Sequence, residues 1–74
     1  MEIKLDKEQI SNIVGLMLAS RGRTSKADLA REIGIKETTF RAALSNESLR
    51  FKDFLQIAET LGFEIVAKKK EQEG

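Results

Sequence analysis

The chain contains neither cysteine nor histidine. Without cysteine it can form no disulfide and has no thiolate for nucleophilic chemistry. Without histidine it lacks the commonest general base and a common metal ligand. A catalytic site would have to be built from carboxylates or lysines in a cleft, and no motif in the sequence indicates one. We therefore expect that the protein is not an enzyme and that it uses no metal and no cofactor.

Long apolar runs are also missing, so we expect no membrane partner. The first eight residues, MEIKLDKE, are charged and include no apolar stretch, so we expect no signal peptide and a cytoplasmic protein. The length of 74 residues fits one small domain, and 41% apolar with 34% charged residues is typical of a globular chain. A domain of this size buries only about 60–65% of its unfolded surface, so burial in a dimer would help a marginal core.

Positive charge is concentrated in the middle of the chain. Residues 20–52 carry eight basic and four acidic side chains, a charge of +4, whereas the whole chain has a net charge of +1. The flanking segments together therefore carry −3. A local basic excess is one sign of a nucleic-acid partner. An excess of this size is also common on the mixed-charge surface of small domains, so charge alone leaves both interpretations open.

The first and fourth predicted helices are recognised by apolar side chains at three- and four-residue spacing. Asp6 is predicted to cap the first helix, with Gln9 completing a capping box, and Arg21–Gly22 is predicted to end it. The fourth helix is predicted over residues 51–61. The predicted core stripes are Ile10, Ile13, Val14, Met17 and Leu18 in the first helix, and Phe51, Phe54, Leu55, Ile57, Ala58 and Leu61 in the fourth.

Two shorter helices are predicted between them, over residues 26–33 and 37–45. Ser25 is the predicted N-cap of the earlier one, and Gly34 is predicted to end it because a left-handed backbone costs glycine little. Phe40, Ala43 and Leu44 are predicted to face inward. A helix, a short turn with glycine and a second helix form helix-turn-helix geometry, which presents the outer face of the second helix.

A serine, a Leu-Ala pair, a Gly-Ile pair and an aromatic residue occur here at a spacing that resembles the Cro and phage-repressor type of helix-turn-helix, also called XRE-like. The matching residues are Ser25, Leu29, Ala30, Gly34, Ile35 and Phe40, then Leu55, Ile57, Ala58, Leu61 and Gly62. The resemblance covers about residues 8–62. It implies a mostly α fold: a compact four-helix, lambda-repressor-like domain over residues 1–70. The helix-turn-helix proper would span residues 25–45, and residues 71–74 would form a solvated tail.

The resemblance also implies sequence-specific binding of double-stranded DNA by a small dimeric transcriptional regulator, most simply a repressor that reads an inverted repeat. The residues that it assigns to base contacts are Lys36, Glu37, Thr38 and Arg41. Arg41 can donate to guanine O6 and N7, Glu37 can accept from cytosine N4, and Thr38 can touch a thymine methyl group. The residues that it assigns to phosphate contacts are Lys26, Asn46, Arg50 and Lys52.

The two ends of the chain are predicted to contain short β-strands, EIKL at residues 2–5 and FEIVAK at residues 63–68. A lone edge strand is a liability and two short strands alone are weak, so we expect them to pair as a small antiparallel sheet that also forms a dimer contact. Some antitoxin repressors that resemble this family end in a similar segment. The residues expected at this contact are Ile3, Leu5, Phe63, Ile65 and Val66.

A second interpretation stays open, in which the helix-turn-helix binds a protein, as an antitoxin or an enzyme inhibitor. The near-neutral net charge and the acidic Glu37 favour it. Glu37 and Arg41 lie four residues apart and can form an ion pair of about 0.2–0.5 kcal/mol instead of reading bases. Lys26 and Lys36 can be solubilising charge. The small size suits a regulator from a phage, a plasmid or another mobile genetic element, controlled by its abundance or by a protein partner.

Overall fold

The computed structural model describes residues 1–71, and four helices account for the regular structure in that range. They are α1 (Ile10–Ser20), α2 (Lys26–Ile33), α3 (Glu37–Ser45) and α4 (Phe51–Thr60). The prediction of a mostly α, four-helix chain is confirmed. Part of the predicted solvated tail, residues 72–74, lies outside the described residues. Within residues 1–71, no helix has both the length and the apolar character needed to cross a membrane.

The bounds of α2 follow from hydrogen bonds that its own sequence supplies. The Ser25 hydroxyl accepts a hydrogen bond from the backbone N–H of Asp28 at 3.0 Å, which satisfies a free donor at the helix start. At the other end Gly34 adopts a left-handed backbone with φ 77°. The next N–H, of Ile35, then donates to the Ala30 carbonyl at 2.9 Å. Both predicted bounds of this helix are confirmed.

One hydrophobic core joins all four helices. α2 packs against both α3 and α4, and α1 packs against α3. Phe40 of α3 is fully buried, as are Leu29 of α2 and Ile57 of α4. The buried apolar residues are Ile13, Val14, Met17, Leu18, Leu29, Ala30, Ile33, Phe40, Leu44, Phe54, Ile57, Ala58 and Leu61. The predicted inward faces of α1 and α3 are confirmed in outline, with Ile10 and Ala43 half-buried at the edge.

The predicted start of α1 is wrong. Asp6 lies in a turn in which the N–H of Lys7 donates to the Lys4 carbonyl at 3.2 Å. The helix begins at Ile10, and Gln9 precedes it without a side-chain capping bond. A capping box requires its serine, threonine or aspartate to stand directly before the helix. Since the turn takes up residues 5–7, Asp6 cannot fill that role.

Two residues of the predicted α4 core are exposed. Phe51 is 67% exposed and Leu55 is 39% exposed, whereas Phe54 and Ile57 are buried as predicted. Phe51 is the first residue of α4, and helical side chains point back toward the N-terminus, so its ring extends past the end of the core. Leu55 lies one turn later on the same margin. The helix also ends at Thr60, one residue earlier than predicted.

Neither predicted strand is present as a strand within residues 1–71. Ile3, Phe63 and Ile65 pack half-buried against the core, whereas Leu5 and Val66 are 37% and 70% exposed. The two terminal segments border one recess, yet no backbone hydrogen bond joins them in the described part of the chain. A strand needs a hydrogen-bonded neighbour, and a single copy of this chain does not supply one. The two predicted strands are therefore not confirmed in a single copy of the chain, and their pairing in a dimer stays a prediction.

Candidate nucleic-acid interface

The third helix has one buried and one exposed face. Phe40 and Leu44 hold it against the core, at 0% and 4% exposure. All four residues assigned to base contacts stand on the exposed side or at the start of the helix: Lys36, Glu37, Thr38 and Arg41. The side chains of Glu37 and Arg41 are 46% and 59% exposed. The core thus fixes the helix without using the side chains that the resemblance assigns to recognition.

A recess lies on each side of this exposed face. The first, called the Lys26 recess, has a volume of about 380 Å³ and is lined by Lys26 of α2, Arg41 and Ser45 of α3, and residues of the α1 start. The second, called the Arg50 recess, has a volume of about 670 Å³ and is lined by Thr38 of α3 and Arg50 among others. The exposed face of α3 is therefore a ridge with a cationic side chain on either side.

Lys26 is held at the boundary between α1 and α2. It is the first residue of α2 and is half-buried. Its Nζ donates to the Ser11 hydroxyl of α1 at 3.5 Å. A lysine ammonium has three donors, so this bond leaves the group able to bind an anion as well. The predicted phosphate contact at Lys26 thus has a defined position beside the ridge.

Each arginine at the ridge is held by a carboxylate close to it in the chain: Glu37 of α3 for Arg41, and Asp53 of α4 for Arg50. Arg41 donates from Nε to Glu37 Oε2 at 2.9 Å. Arg50, directly before α4, donates from Nε to Asp53 Oδ2 at 3.2 Å. Asp53 is only 9% exposed, and Arg50 has a side chain that is 77% exposed. Each guanidinium is therefore anchored at one end and open to solvent at the other.

The loop after α3 includes a strained backbone. Glu47 has φ 54°, and within residues 1–71 it is the only non-glycine residue with a positive φ. This conformation costs roughly 1–2 kcal/mol for a residue with a Cβ. It lets the N–H of Ser48 donate to the Ala43 carbonyl at 2.9 Å, which closes the end of α3. Asn46 and Lys52, the other assigned phosphate contacts, are exposed in this loop and in the first turn of α4.

Sequence reasoning missed three residues of this surface. Asp53 follows Arg50 at the i,i+3 spacing of helical ion pairs, and that spacing was a usable signal. No sequence signal indicated Ser11 as the partner of Lys26, because their contact joins two different helices. Glu47 had none either, because glycine or asparagine is the residue type that predicts a left-handed position.

Comparisons of the chain with protein-family models, with curated proteins and with solved structures found no match. The resemblance to the Cro and phage-repressor type therefore stands on the residues themselves. In the part of the chain that the structure describes, acidic side chains do not gather in a group of three or more that could hold a metal ion.

Proposed function

We propose that this protein is a lambda-repressor-like helix-turn-helix domain that binds double-stranded DNA sequence-specifically through the exposed face of α3. One observation carries the proposal: the α3 ridge presents polar and charged side chains, and Lys26 and Arg50 lie in recesses on its two sides. The resemblance of about residues 8–62 to the Cro and phage-repressor type supports the same function.

The dimensions of DNA fit this arrangement. The major groove is about 12 Å wide and admits an α-helix. Phosphates border the groove on both sides, so a helix inside it brings flanking cations toward both backbones. Lys26 and Arg50 would meet phosphates on opposite sides, and Asn46 and Lys52 would add contacts. Affinity from such contacts falls as salt rises, because binding releases the counterions of the phosphates.

Base reading falls to the exposed face and the start of α3. Lys36, Glu37, Thr38 and Arg41 are exposed there, and Arg41 has the planar donor set that suits guanine O6 and N7. Thr38 offers a methyl group for thymine. Because these side chains do not contribute to the core, their identity can serve recognition alone.

The protein acts as a symmetric dimer formed by residues 63–68. Phe63 and Ile65 are half-buried, whereas Glu64 and Val66 are exposed, an alternation of period two. Antiparallel pairing of two copies about Val66 would set the two valines opposite each other and Glu64 opposite Lys68. Cross-strand pairs of opposite charge contribute about 0.2–1 kcal/mol each. Ile3 and Leu5 border a recess that residues 63–66 also line, so they would extend the dimer contact.

A dimer with one α3 per copy reads an inverted repeat, with half-sites about 34 Å apart. Occupying a promoter in this way represses it, and a cytoplasmic repressor is the role that we propose. The small size suits a regulator of a phage, a plasmid or another mobile element, or an antitoxin that represses its own operon.

Selection from a randomised duplex pool at moderate salt, followed by sequencing of the retained DNA, tests the proposal. We expect an enriched inverted repeat that the Arg41→Ala variant no longer prefers. The matched control is Arg31→Ala, which removes an arginine of α2 that is also exposed and also paired with a carboxylate, but lies outside both recesses. It should keep the preference. If the wild-type protein enriched nothing and showed no salt-sensitive retention, DNA binding would be rejected.

A protein-binding module, as an antitoxin or an enzyme inhibitor, is the second candidate. The exposed apolar pair on α4 favours it, because Phe51 and Leu55 are one turn apart on one face. Aromatic side chains are enriched at protein interfaces. A Phe51→Ser variant separates the two functions. It should bind DNA as the wild type does, and it should lose a toxin or enzyme partner if the second function is the correct one.

A further inference from the structure

Four arginines in the described part of the chain donate to carboxylates, and they do so in two ways. Arg23 and Arg31 donate from their terminal nitrogens, to Glu32 and Asp28 respectively. Arg41 and Arg50 donate from Nε, to Glu37 and Asp53. The second pair consists of the two arginines that the resemblance assigns to DNA contacts.

The choice of nitrogen matters because the guanidinium is a planar group with five N–H donors. A carboxylate on the terminal nitrogens occupies the fork that would otherwise grip guanine or phosphate. A carboxylate on Nε fixes the plane of the group and leaves both terminal nitrogens as donors. Arg41 is thus restrained at its inner edge by Glu37 at 2.9 Å, while its side chain stays 59% exposed.

We propose that Glu37 is a positioning residue for Arg41, and that Arg41 reads one guanine in each half-site. This inference rests on the proposed function and names the base recognised at that site. It replaces the sequence-based expectation that Glu37 accepts from a cytosine. It also accounts for the acidic Glu37 at the start of a helix that approaches phosphates. Glu37 pairs with the positive charge of Arg41, and the positive N-terminal end of the α3 dipole stabilises its carboxylate.

Asp53 plays the corresponding part for Arg50, at a place that carries no sequence information. Arg50 precedes α4 and borders the Arg50 recess, so in a DNA complex its terminal nitrogens would meet a phosphate and not a base. Loss of Asp53 should weaken binding to every DNA sequence alike. Loss of Glu37 should change the preference at one base pair. The two carboxylates therefore provide a matched pair of variants.

The test measures binding of the selected operator and of all its single-base variants to the wild type, Glu37→Ala, Glu37→Gln, Arg41→Ala and the double variant. A bidentate arginine–guanine contact discriminates by about 1–3 kcal/mol, which is roughly 5- to 150-fold. We expect Arg41→Ala to remove this preference and Glu37→Ala to reduce it at the same base pair. Glu37→Gln, which keeps an acceptor oxygen, should lose less. In the Arg41→Ala background, Glu37→Ala should have no further effect there.

Several results would overturn the inference. They are a Glu37 effect at a different base pair, an unchanged guanine preference in Glu37→Ala, and a guanine preference that survives Arg41→Ala. Asp53→Asn should lower affinity for all variants equally, and a base-specific effect of Asp53→Asn would also count against it. If the wild type selects no operator at all, the proposed function fails first. If it selects one and only the Glu37 results differ, this inference alone fails. Thermal unfolding followed by circular dichroism checks that each variant stays helical.

Discussion

The helical unit of residues 25–45 and the terminal segments, residues 1–9 and 63–71, differ in where their backbone hydrogen bonds go. In the unit, Ser25 caps the start of α2, and the left-handed Gly34 lets the next N–H close its end. In the C-terminal segment, residues 63–71, the N–H of Phe63 donates to the Ala58 carbonyl. None of the backbone N–H groups of residues 64–71 has a backbone partner within residues 1–71. One region completes its bonding locally. The C-terminal segment leaves its bonding to water or to a second molecule, whereas the N-terminal segment makes one local bond, from the Lys7 N–H to the Lys4 carbonyl.

This difference shows which features a sequence encodes by itself. The bounds of a helix with a capping residue and a terminal glycine are determined by residues within a stretch of about ten. An extended segment with alternating side chains does not determine its own pairing, because the strand that completes its hydrogen bonds lies elsewhere. The predictions that follow test the two regions in turn, from the largest expected effect to the smallest.

The largest effect should come from the core side of the helical unit. Phe40→Ala removes a fully buried ring between α3 and the other helices, and we expect a loss of about 3–5 kcal/mol in the free energy of unfolding. Urea denaturation followed by circular dichroism measures it. In a domain this small such a loss can remove most of the stability. The exposed neighbour Thr39 is the control, and Thr39→Ala should stay within about 0.5 kcal/mol of the wild type. Equal stabilities for the two variants would contradict the packing described here.

A smaller effect should come from the local signal at Ser25. Its hydroxyl accepts from the Asp28 N–H, so Ser25→Ala leaves that donor without its partner, and we expect a loss of about 1 kcal/mol. The same denaturation experiment applies. Ser25→Asn keeps an acceptor oxygen and should recover most of the loss. If alanine were as stable as serine, the start of α2 would be fixed by tertiary packing, and the contrast between the two regions would be weaker than we describe.

The smallest effect should come from the C-terminal segment, and it should depend on protein concentration. In the proposed antiparallel register, Glu64→Lys or Lys68→Glu sets like charges opposite each other, at about 0.2–1 kcal/mol per pair. Sedimentation at micromolar concentration should show a dimer that each single variant weakens several-fold. The Glu64→Lys/Lys68→Glu double variant should restore it. A wild type that is monomeric at this concentration would reject the dimer, and a double variant that is not restored would reject the register.

The helices could be predicted to within a few residues, because their signals are local. The spacing of apolar residues found α1 and α4, and Ser25 and Gly34 gave the bounds of α2. The start of α1 was wrong because Asp6 and Gln9 have the residue types of a capping box, while a turn at residues 5–7 competes for the same backbone. The prediction that Phe51 is buried was wrong because periodicity shows which side of a helix faces the core, but not how far the helix extends beyond it.

The candidate site could be predicted as a set of exposed positions, but not as an arrangement. Glu37 and Arg41 were recognisable as a possible ion pair from their i,i+4 spacing. Which nitrogen of Arg41 takes part depends on side-chain torsions that spacing does not determine. The partnership of Lys26 with Ser11 depends on how α1 packs beside α2. Such contacts come from tertiary structure, and they decide which donors remain available to a ligand.

The alternation of Phe40 and Arg41 along α3 has a consequence for evolution. One residue is fully buried and its neighbour is 59% exposed, so the set that holds the helix and the set that faces outward do not overlap. Exposed substitutions usually change stability by no more than about 0.5 kcal/mol. A lineage can therefore replace the outward residues one at a time at little cost in stability, and under the proposed function each replacement offers a new recognition preference.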